Sequence, residues 1–226
     1  MTLIELADRA RSRVTDGRRC ILGVTGPPGA GKTTFVSLLL DLLRTTPLAG
    51  LTSDWVAHVP MDGFHLADVE LDRLGIRRRK GAPDTFDSAG YLAVLERIKR
   101  DTPGVVYAPA FERTLEQPVA ASIAVAATAR LIVTEGNYLL LQDGDWPAIR
   151  ALLDEVWYVD LDDDERIRRL INRHVEFGKD RDEAIAWVAG PDQSNATLVG
   201  TTRDRADLVI GLADLAGEPG RVIDQE

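Results

Sequence analysis

Gly23-Val-Thr-Gly-Pro-Pro-Gly-Ala-Gly-Lys-Thr-Thr-Phe35 sets four glycines, two prolines and one lysine between two apolar runs. Within it, Gly26 to Thr33 matches the pattern Gly-x-x-x-x-Gly-Lys-Ser/Thr in full. Glycines there let the backbone curl until successive N–H groups point inward. The helix that follows adds its own unpaired N–H groups and the positive end of its dipole. The context agrees, since residues 21–25 read as a strand before the loop and 32–44 as a helix after it. Gly26, Pro27, Pro28, Gly29, Ala30, Gly31, Lys32, Thr33 and Thr34 are therefore expected to cradle the phosphates of ATP. Lys32 would reach the β- and γ-phosphates, and the Thr33 hydroxyl would ligate Mg2+. The competing reading is a glycine-rich turn with a surface lysine. The chain has only four lysines against 23 arginines, yet one of them sits here.

Composition narrows the field further. A chain of 226 residues with 45% hydrophobic and 28% charged residues is globular in type, neither disordered nor fibrous. Its net charge of −9 argues against a general binder of nucleic acid or anionic membrane, so neither is expected as a partner. Cys20 is the only cysteine, which excludes an internal disulfide and fits a reducing, cytoplasmic setting. Its neighbours Ile21 and Leu22 suggest a buried strand thiol. The most apolar run, residues 122–133, is interrupted by Arg130 and falls short of the roughly 20 residues a membrane span needs. At the N-terminus, Thr2-x-x-Glu5 reads as a capping box, and Leu3, Leu6, Ala7, Ala10 and Val14 recur on one helical face. That predicts a folded first helix, not a targeting peptide.

Short apolar runs alternate with longer helical patterns. Strands are expected over 21–25, 56–61, 131–134, 155–159 and 207–210; helices over 32–44, 67–74, 88–100, 163–176, 181–189 and 192–199. This order implies a parallel sheet covered on both faces. No repeat or linker interrupts residues 1–226, so one domain is expected. The exception to the alternation lies between Val105 and Val125, where two β-rich pieces flank a turn and suggest an inserted antiparallel hairpin. In such sheets ligands bind beyond the carboxyl ends of the strands.

Two carboxylates fall at those ends. Asp62 follows the second strand, where it could orient an acceptor hydroxyl or take its proton; the plainer reading is a turn-initiating aspartate before Gly63. His65 is a substrate contact or a structural histidine. Glu135 follows the third expected strand, in the position of a Mg2+-orienting carboxylate.

The loop, then Met61-Asp-Gly-Phe-His65, then Lys80-Gly-Ala-Pro-Asp-Thr-Phe-Asp87, then Ile132-Val-Thr-Glu-Gly-Asn-Tyr-Leu-Leu140, in that order, resemble the phosphoribulokinase, uridine kinase and bacterial pantothenate kinase family of P-loop kinases. The resemblance covers about residues 21–210. It implies a three-layer α/β sandwich with a five-stranded parallel sheet flanked by helices. It implies a substrate-side hairpin at about 104–126, and ATP-dependent phosphorylation of a small-molecule hydroxyl acceptor. Asp62 matches the family's catalytic base, and Phe86 lies in a segment that lines the acceptor pocket. Tyr107, Phe111, Glu112 and Arg113 belong to the hairpin. A lid is implied at about 162–182, with Arg169 and Arg173 closing over the transferring phosphoryl group and Arg166 next in line. Arg166, Arg169 and Arg173 share a helical face; a solvated face paired to residues 162–165 is the alternative. Thr202 and Arg203 resemble a loop that packs on adenine. The run Arg77-Arg78-Arg79-Lys80 either attracts an anionic acceptor or is a solvated loop. Relatives are often dimers or tetramers, which leaves a homodimer open. Among acceptors a sugar or nucleoside ranks ahead of pantothenate, and a nucleotide-dependent switch without a small acceptor is the reading from another class.

Overall fold

The computed structural model describes residues 1–15, 17–101 and 103–212. Helix α1 (Leu3–Ser12) begins at the expected capping box. The Thr2 hydroxyl accepts from the Glu5 N–H at 3.1 Å, and the Glu5 carboxylate accepts from the Thr2 N–H at 2.8 Å. Strand β1 (Cys20–Thr25), helix α2 (Lys32–Thr45), strand β2 (Val56–His58), and helices α3 (Asp68–Leu74) and α4 (Ser88–Lys99) follow. The hairpin strands β3 (Val106–Glu112) and β4 (Gln117–Val125) lead into β5 (Leu131–Glu135), α5 (Trp146–Leu152) and β6 (Glu155–Asp160). Helices α6 (Asp163–Glu176), α7 (Arg181–Trp187) and α8 (Gln193–Gly200) precede the last strand, β7 (Leu208–Gly211).

Five strands form one parallel sheet in the order β2-β5-β1-β6-β7, while β3 and β4 form a separate antiparallel pair. All residues of β1 and β5 are buried, which is why both read as nearly continuous apolar runs. Strand alternation still sorts their side chains. Ile21 and Ile132 pack with Tyr91, Leu95, Ile98 and Ile149 on one face. Leu22, Val24 and Val133 pack with Leu6, Phe35, Leu39 and Trp55 on the other.

The amino ends of the strands are closed by buried charge. Arg19, 3% exposed, donates to the carbonyls of Ile98, Ala126 and Ala129 and pairs with Asp101 at 2.8 Å. Glu155, 1% exposed, lies 2.5 Å from both Arg9 and Arg13 and accepts from the Trp157 indole at 2.9 Å, which ties α1 to β6. The carboxyl ends are left for the loops that build the site.

Three elements differ from the expected pattern. The strand expected over 56–61 ends at His58, because Pro60 has no N–H for the ladder, and Met61–Phe64 winds into a 3-10 turn. Helix α5 has no counterpart among the expected helices; its seven residues, with a proline in the first turn, are too few to show an apolar period. Val188–Asp192 forms a π-helical turn containing Pro191, so α7 runs into α8 without a loop.

The hairpin sits directly on the turn after β2. A Cβ on Gly63 would come within 2.2 Å of the Pro109 carbonyl oxygen, so only glycine allows this contact. Its far end is tied to α3: the Gln117 side chain accepts from the Asp68 N–H at 3.0 Å, and Lys80 bridges Asp68 (2.8 Å) and the Glu116 carbonyl (2.6 Å).

Cys20 is 3% exposed, and burial, with Asp154 adding to it, pushes its thiol up to about 12. A raised thiol pKa leaves almost no thiolate near neutrality. At pH 8.5 the native protein should therefore react with iodoacetamide at least about a hundredfold more slowly than the denatured chain. Equal rates, followed by mass spectrometry, would place Cys20 outside the core.

Candidate active site

The glycine loop joins β1 to α2 and is shaped by what lies on either side. Gly26, at φ 147°, faces β6: a Cβ there would be 2.4 Å from the Val159 carbonyl oxygen. Gly29, at φ 80°, faces α6, where a Cβ would meet the Leu170 side chain at 2.6 Å. Helix α2 starts at Gly31 with no side-chain cap and no acidic residue in its first turn. Its leading N–H groups therefore have no competing carboxylate and remain available to an anion.

Lys32 is 9% exposed, and its ammonium donates to the Pro27 carbonyl at 3.0 Å. Burial pushes it down to about 8, although Glu135 and Asp62 pull the other way. A buried ammonium held by one carbonyl, with no ion-pair partner among the described residues, suits a polyanion. Thr33 and Thr34 both face solvent. The Thr33 hydroxyl donates to Glu135 Oε2 at 3.1 Å, and Glu135 is 6% exposed. On the other side of that carboxylate, His58 Nε2 lies 3.4 Å from Oε1. Among the described residues no group of three or more His, Cys, Asp or Glu forms a metal cage. A hydroxyl and one carboxylate fit Mg2+, which keeps waters and nucleotide phosphates as its remaining ligands.

Asp62 lies in the 3-10 turn after β2, and its carboxylate has no hydrogen bond or ion pair among the described residues. It acts electrostatically on Lys32 of the loop, on His65 and on Arg173 of α6. His65 Nδ1 donates to the Asp62 carbonyl at 2.8 Å, and burial pushes the ring's pKa down, opposed by Asp62. The neutral ring then carries a lone pair on Nε2. It is flanked by the tilted rings of Phe86 (centroids 4.0 Å apart) and Phe111 (4.9 Å), with His65 and Phe86 also bridged through their backbones. Lys80 lies over the Phe111 ring at 5.5 Å.

The other hairpin residues divide. Glu112 folds onto its own turn, accepting from the Thr114 N–H (3.1 Å) and hydroxyl (2.8 Å). Arg113 is near enough to Arg173 to lower its pKa. Tyr107 is 56% exposed and makes no ring contact with His65, Phe86 or Phe111 among the described residues. In the basic run, Arg77 pairs with Asp68 and Asp72, Arg79 with Asp84, and Lys80 with Asp68, so carboxylates of the same region answer three of its four charges.

Helix α6 lies over the loop. Arg166 is fully buried and reaches Asp163 (2.9 Å), Gln193 (2.6 Å) and the Pro28 carbonyl (3.4 Å), fastening the helix to the loop. Arg168 and Arg169 both pair with Glu165, which they hold down at about 2. Arg169 also borders the loop, its Nη1 3.5 Å from the position of a Cβ on Gly31. Arg173, exposed on α6, has no ion-pair partner among the described residues; desolvation, then Arg113, lowers its pKa. Thr202 is 2% exposed and its hydroxyl donates to the Val199 carbonyl at 2.7 Å. Arg203 forks onto Asp160 at 2.9 and 3.0 Å, at the carboxyl end of β6.

Two features have no sequence counterpart above. The Gly81 carbonyl, in the acceptor-side segment, accepts from the Tyr138 hydroxyl and from Asn195 at 3.3 Å, latching α8 to that segment. His58 beside Glu135 is the other; its only trace in the sequence is a polar residue two positions after Val56 on a core-facing strand.

Comparison with known proteins adds the lineage. The phosphoribulokinase/uridine kinase family model matches residues 21–214. A Schizosaccharomyces pombe protein named as a candidate uridine kinase is 31% identical over 212 residues, covering 91% of this chain and 88% of that protein. The uncharacterised Escherichia coli protein YggC is 30% identical over 205 residues, covering 91% and 83%. Among solved structures, a candidate fructose transport system kinase from Silicibacter sp. superposes with a TM-score of 0.81 at 31% identity, covering 93% of this chain and 99% of that one.

Lys32→Met should abolish nucleotide binding, as followed by calorimetric titration. Removing a desolvated charge should at the same time stabilise the nucleotide-free protein by about 1–2 kcal/mol in chemical denaturation. A variant that loses stability and keeps its nucleotide affinity would contradict the role of this buried ammonium.

Proposed function

The chain belongs to the phosphoribulokinase/uridine kinase family, and from that premise we propose that it transfers the γ-phosphoryl group of ATP to a hydroxyl of a small metabolite, a sugar or a nucleoside. The observation that carries the reading is the unpaired Asp62 carboxylate, whose charge acts on Lys32 of the phosphate loop and on Arg173, in the turn capped by His65, whose ring lies against Phe86 and Phe111.

In this reading the uncapped start of α2 and Lys32 hold the triphosphate. Thr33 and Glu135 would hold Mg2+, which when bound neutralises charge on the β- and γ-phosphates. Asp62 orients the acceptor hydroxyl and takes its proton as the oxygen attacks phosphorus and ADP leaves. Arg173, with Arg169 at the loop's edge, answers the negative charge spread over the phosphoryl oxygens in the transition state. Helix α6, already fastened over the loop by Arg166, helps to exclude water that would otherwise accept the phosphoryl group. Arg203, held flat by Asp160, gives the adenine a face on which to stack.

Support for the acceptor class comes from the pocket's chemistry and from the relatives' names. Asp62 and the His65 lone pair are both acceptors of hydrogen bonds, as adjoining hydroxyls require. The aromatic rings offer apolar faces to the C–H side of a sugar or to a base. A uridine kinase and a fructose transport system kinase are among the names the relatives carry. A second reading, an acceptor bearing a carboxylate such as pantothenate, draws on Arg113, which has no partner among the described residues.

ADP release should be measured with Mg-ATP against fructose, other sugars, pyrimidine nucleosides, nicotinamide riboside and pantothenate. One acceptor is expected to raise the rate far above background, and Asp62→Asn to reduce that gain by about a hundredfold or more. If no acceptor matters and Asp62→Asn hydrolyses ATP as the parent does, the protein is a nucleotide-dependent ATPase and Asp62 only a turn residue.

A further inference from the structure

Two buried side-chain polar atoms lack a hydrogen-bond partner among the described residues, Glu155 Oε2 and His58 Nε2. The first lies in a 2.5 Å ion pair with Arg13, which leaves the second to explain. A buried ring nitrogen without a partner is costly, and a fold retains one where another group will claim it.

The register of the sheet shows what is near. His58 is paired across the ladder with Val133, and Glu135 follows two residues later on the same strand face. Val56 and Val133 both face α2, so His58 and Glu135 point to the side from which the first turn of α2 presents Thr33. His58 Nε2 then lies 3.4 Å from Glu135 Oε1 while Oε2 accepts from the Thr33 hydroxyl at 3.1 Å. The carboxylate is therefore flanked on one oxygen by an imidazole and on the other by a hydroxyl. A shift of a few tenths of an ångström brings the ring nitrogen into hydrogen-bond range.

We propose that His58 is a positioning residue for Glu135: its Nε2–H holds Oε1, so that Oε2 and the Thr33 hydroxyl stay turned toward the divalent cation that accompanies the nucleotide. Glu135 ends β5 and is followed by Gly136, so nothing in its own strand restrains its side-chain torsions beyond that point. The imidazole comes from the short strand β2, three residues before the 3-10 turn that presents Asp62. Cation site and acceptor side are thus braced from one segment. The inference rests on reading Thr33 and Glu135 as the cation's protein ligands.

The test is direct metal binding, not turnover. Mn2+ would be titrated, with electron paramagnetic resonance reading free metal, into protein saturated with a non-hydrolysable ATP analogue. The variants are His58→Phe, which keeps the ring and removes its nitrogens, and His58→Gln, whose amide restores a donor near the position of Nε2. Glu135→Ala is the control. His58→Phe should weaken Mn2+ binding about tenfold, leave metal-free analogue binding and the melting temperature near the parent's, and be largely rescued by His58→Gln. Should His58→Phe not fold, His58→Ala is read in its place. Parent-like Mn2+ affinity in His58→Phe with clear loss in Glu135→Ala overturns the positioning role alone. Parent-like affinity in Glu135→Ala as well overturns the cation reading, and the role of His58 falls with it.

Discussion

The contact on which the rest depends is the close approach of α6 to the glycine loop. Gly29 meets the Leu170 side chain with no room for a Cβ, and Arg166 is buried between the Pro28 carbonyl, Asp163 and Gln193. Because β6 closes on the same loop at Gly26, its backbone is held from two sides. A nest of N–H groups is useful only if it keeps its shape when empty, since ordering it on binding would consume affinity. Here packing supplies that order. Arg166 is best understood as part of the loop's support, whereas Arg169 pairs with Glu165 at the loop's edge and Arg173 is exposed farther along the helix.

The cleft is electrostatically unfinished. Several charges elsewhere are answered locally: Arg77 by Asp68 and Asp72, Arg130 by Asp101, Arg150 by Asp207. In the cleft, Lys32 is held well below its ordinary pKa by burial, Arg173 is lowered by desolvation and by Arg113, and the Asp62 carboxylate has no partner among the described residues. Clustered cations that depress one another are unfavourable alone and become favourable when an anion arrives. The molecule thus stores part of its binding selectivity as repulsion among its own side chains.

Much of this was legible in the sequence because the phosphate site is local. Loop, strand and helix are contiguous, each glycine answers a backbone demand, and Asp62 and Glu135 fall at strand ends where a parallel sheet places its ligands. The capping box at Thr2 and Glu5 and the inserted hairpin were readable for the same reason. What was not legible depends on residues far apart in the chain. Helix α5 is too short for periodicity, and β2 is cut short by Pro60. The latch from Tyr138 and Asn195 to Gly81 joins three distant segments. Nor does the sequence show that Arg166 points at the loop while Arg168 and Arg169 share Glu165; spacing alone puts Arg166, Arg169 and Arg173 on one face and cannot rank them.

The acceptor side follows a different logic from the phosphate side. Backbone N–H groups grip phosphates, so such a loop tolerates little change; in the proposed reading the acceptor would be met by side chains from three places, the turn bearing Asp62 and His65, Phe86 and the hairpin tip. The hairpin touches the turn that carries Asp62 through backbone, Pro109 on Gly63, and is tied to α3 through Lys80 and Gln117. Its position is therefore held largely by contacts that do not involve the side chains of Glu112 or Arg113. Those two can vary without disturbing the turn that carries Asp62, whereas Phe111 packs on His65 beside it. Such a division lets one phosphoryl-transfer apparatus serve many hydroxyl acceptors.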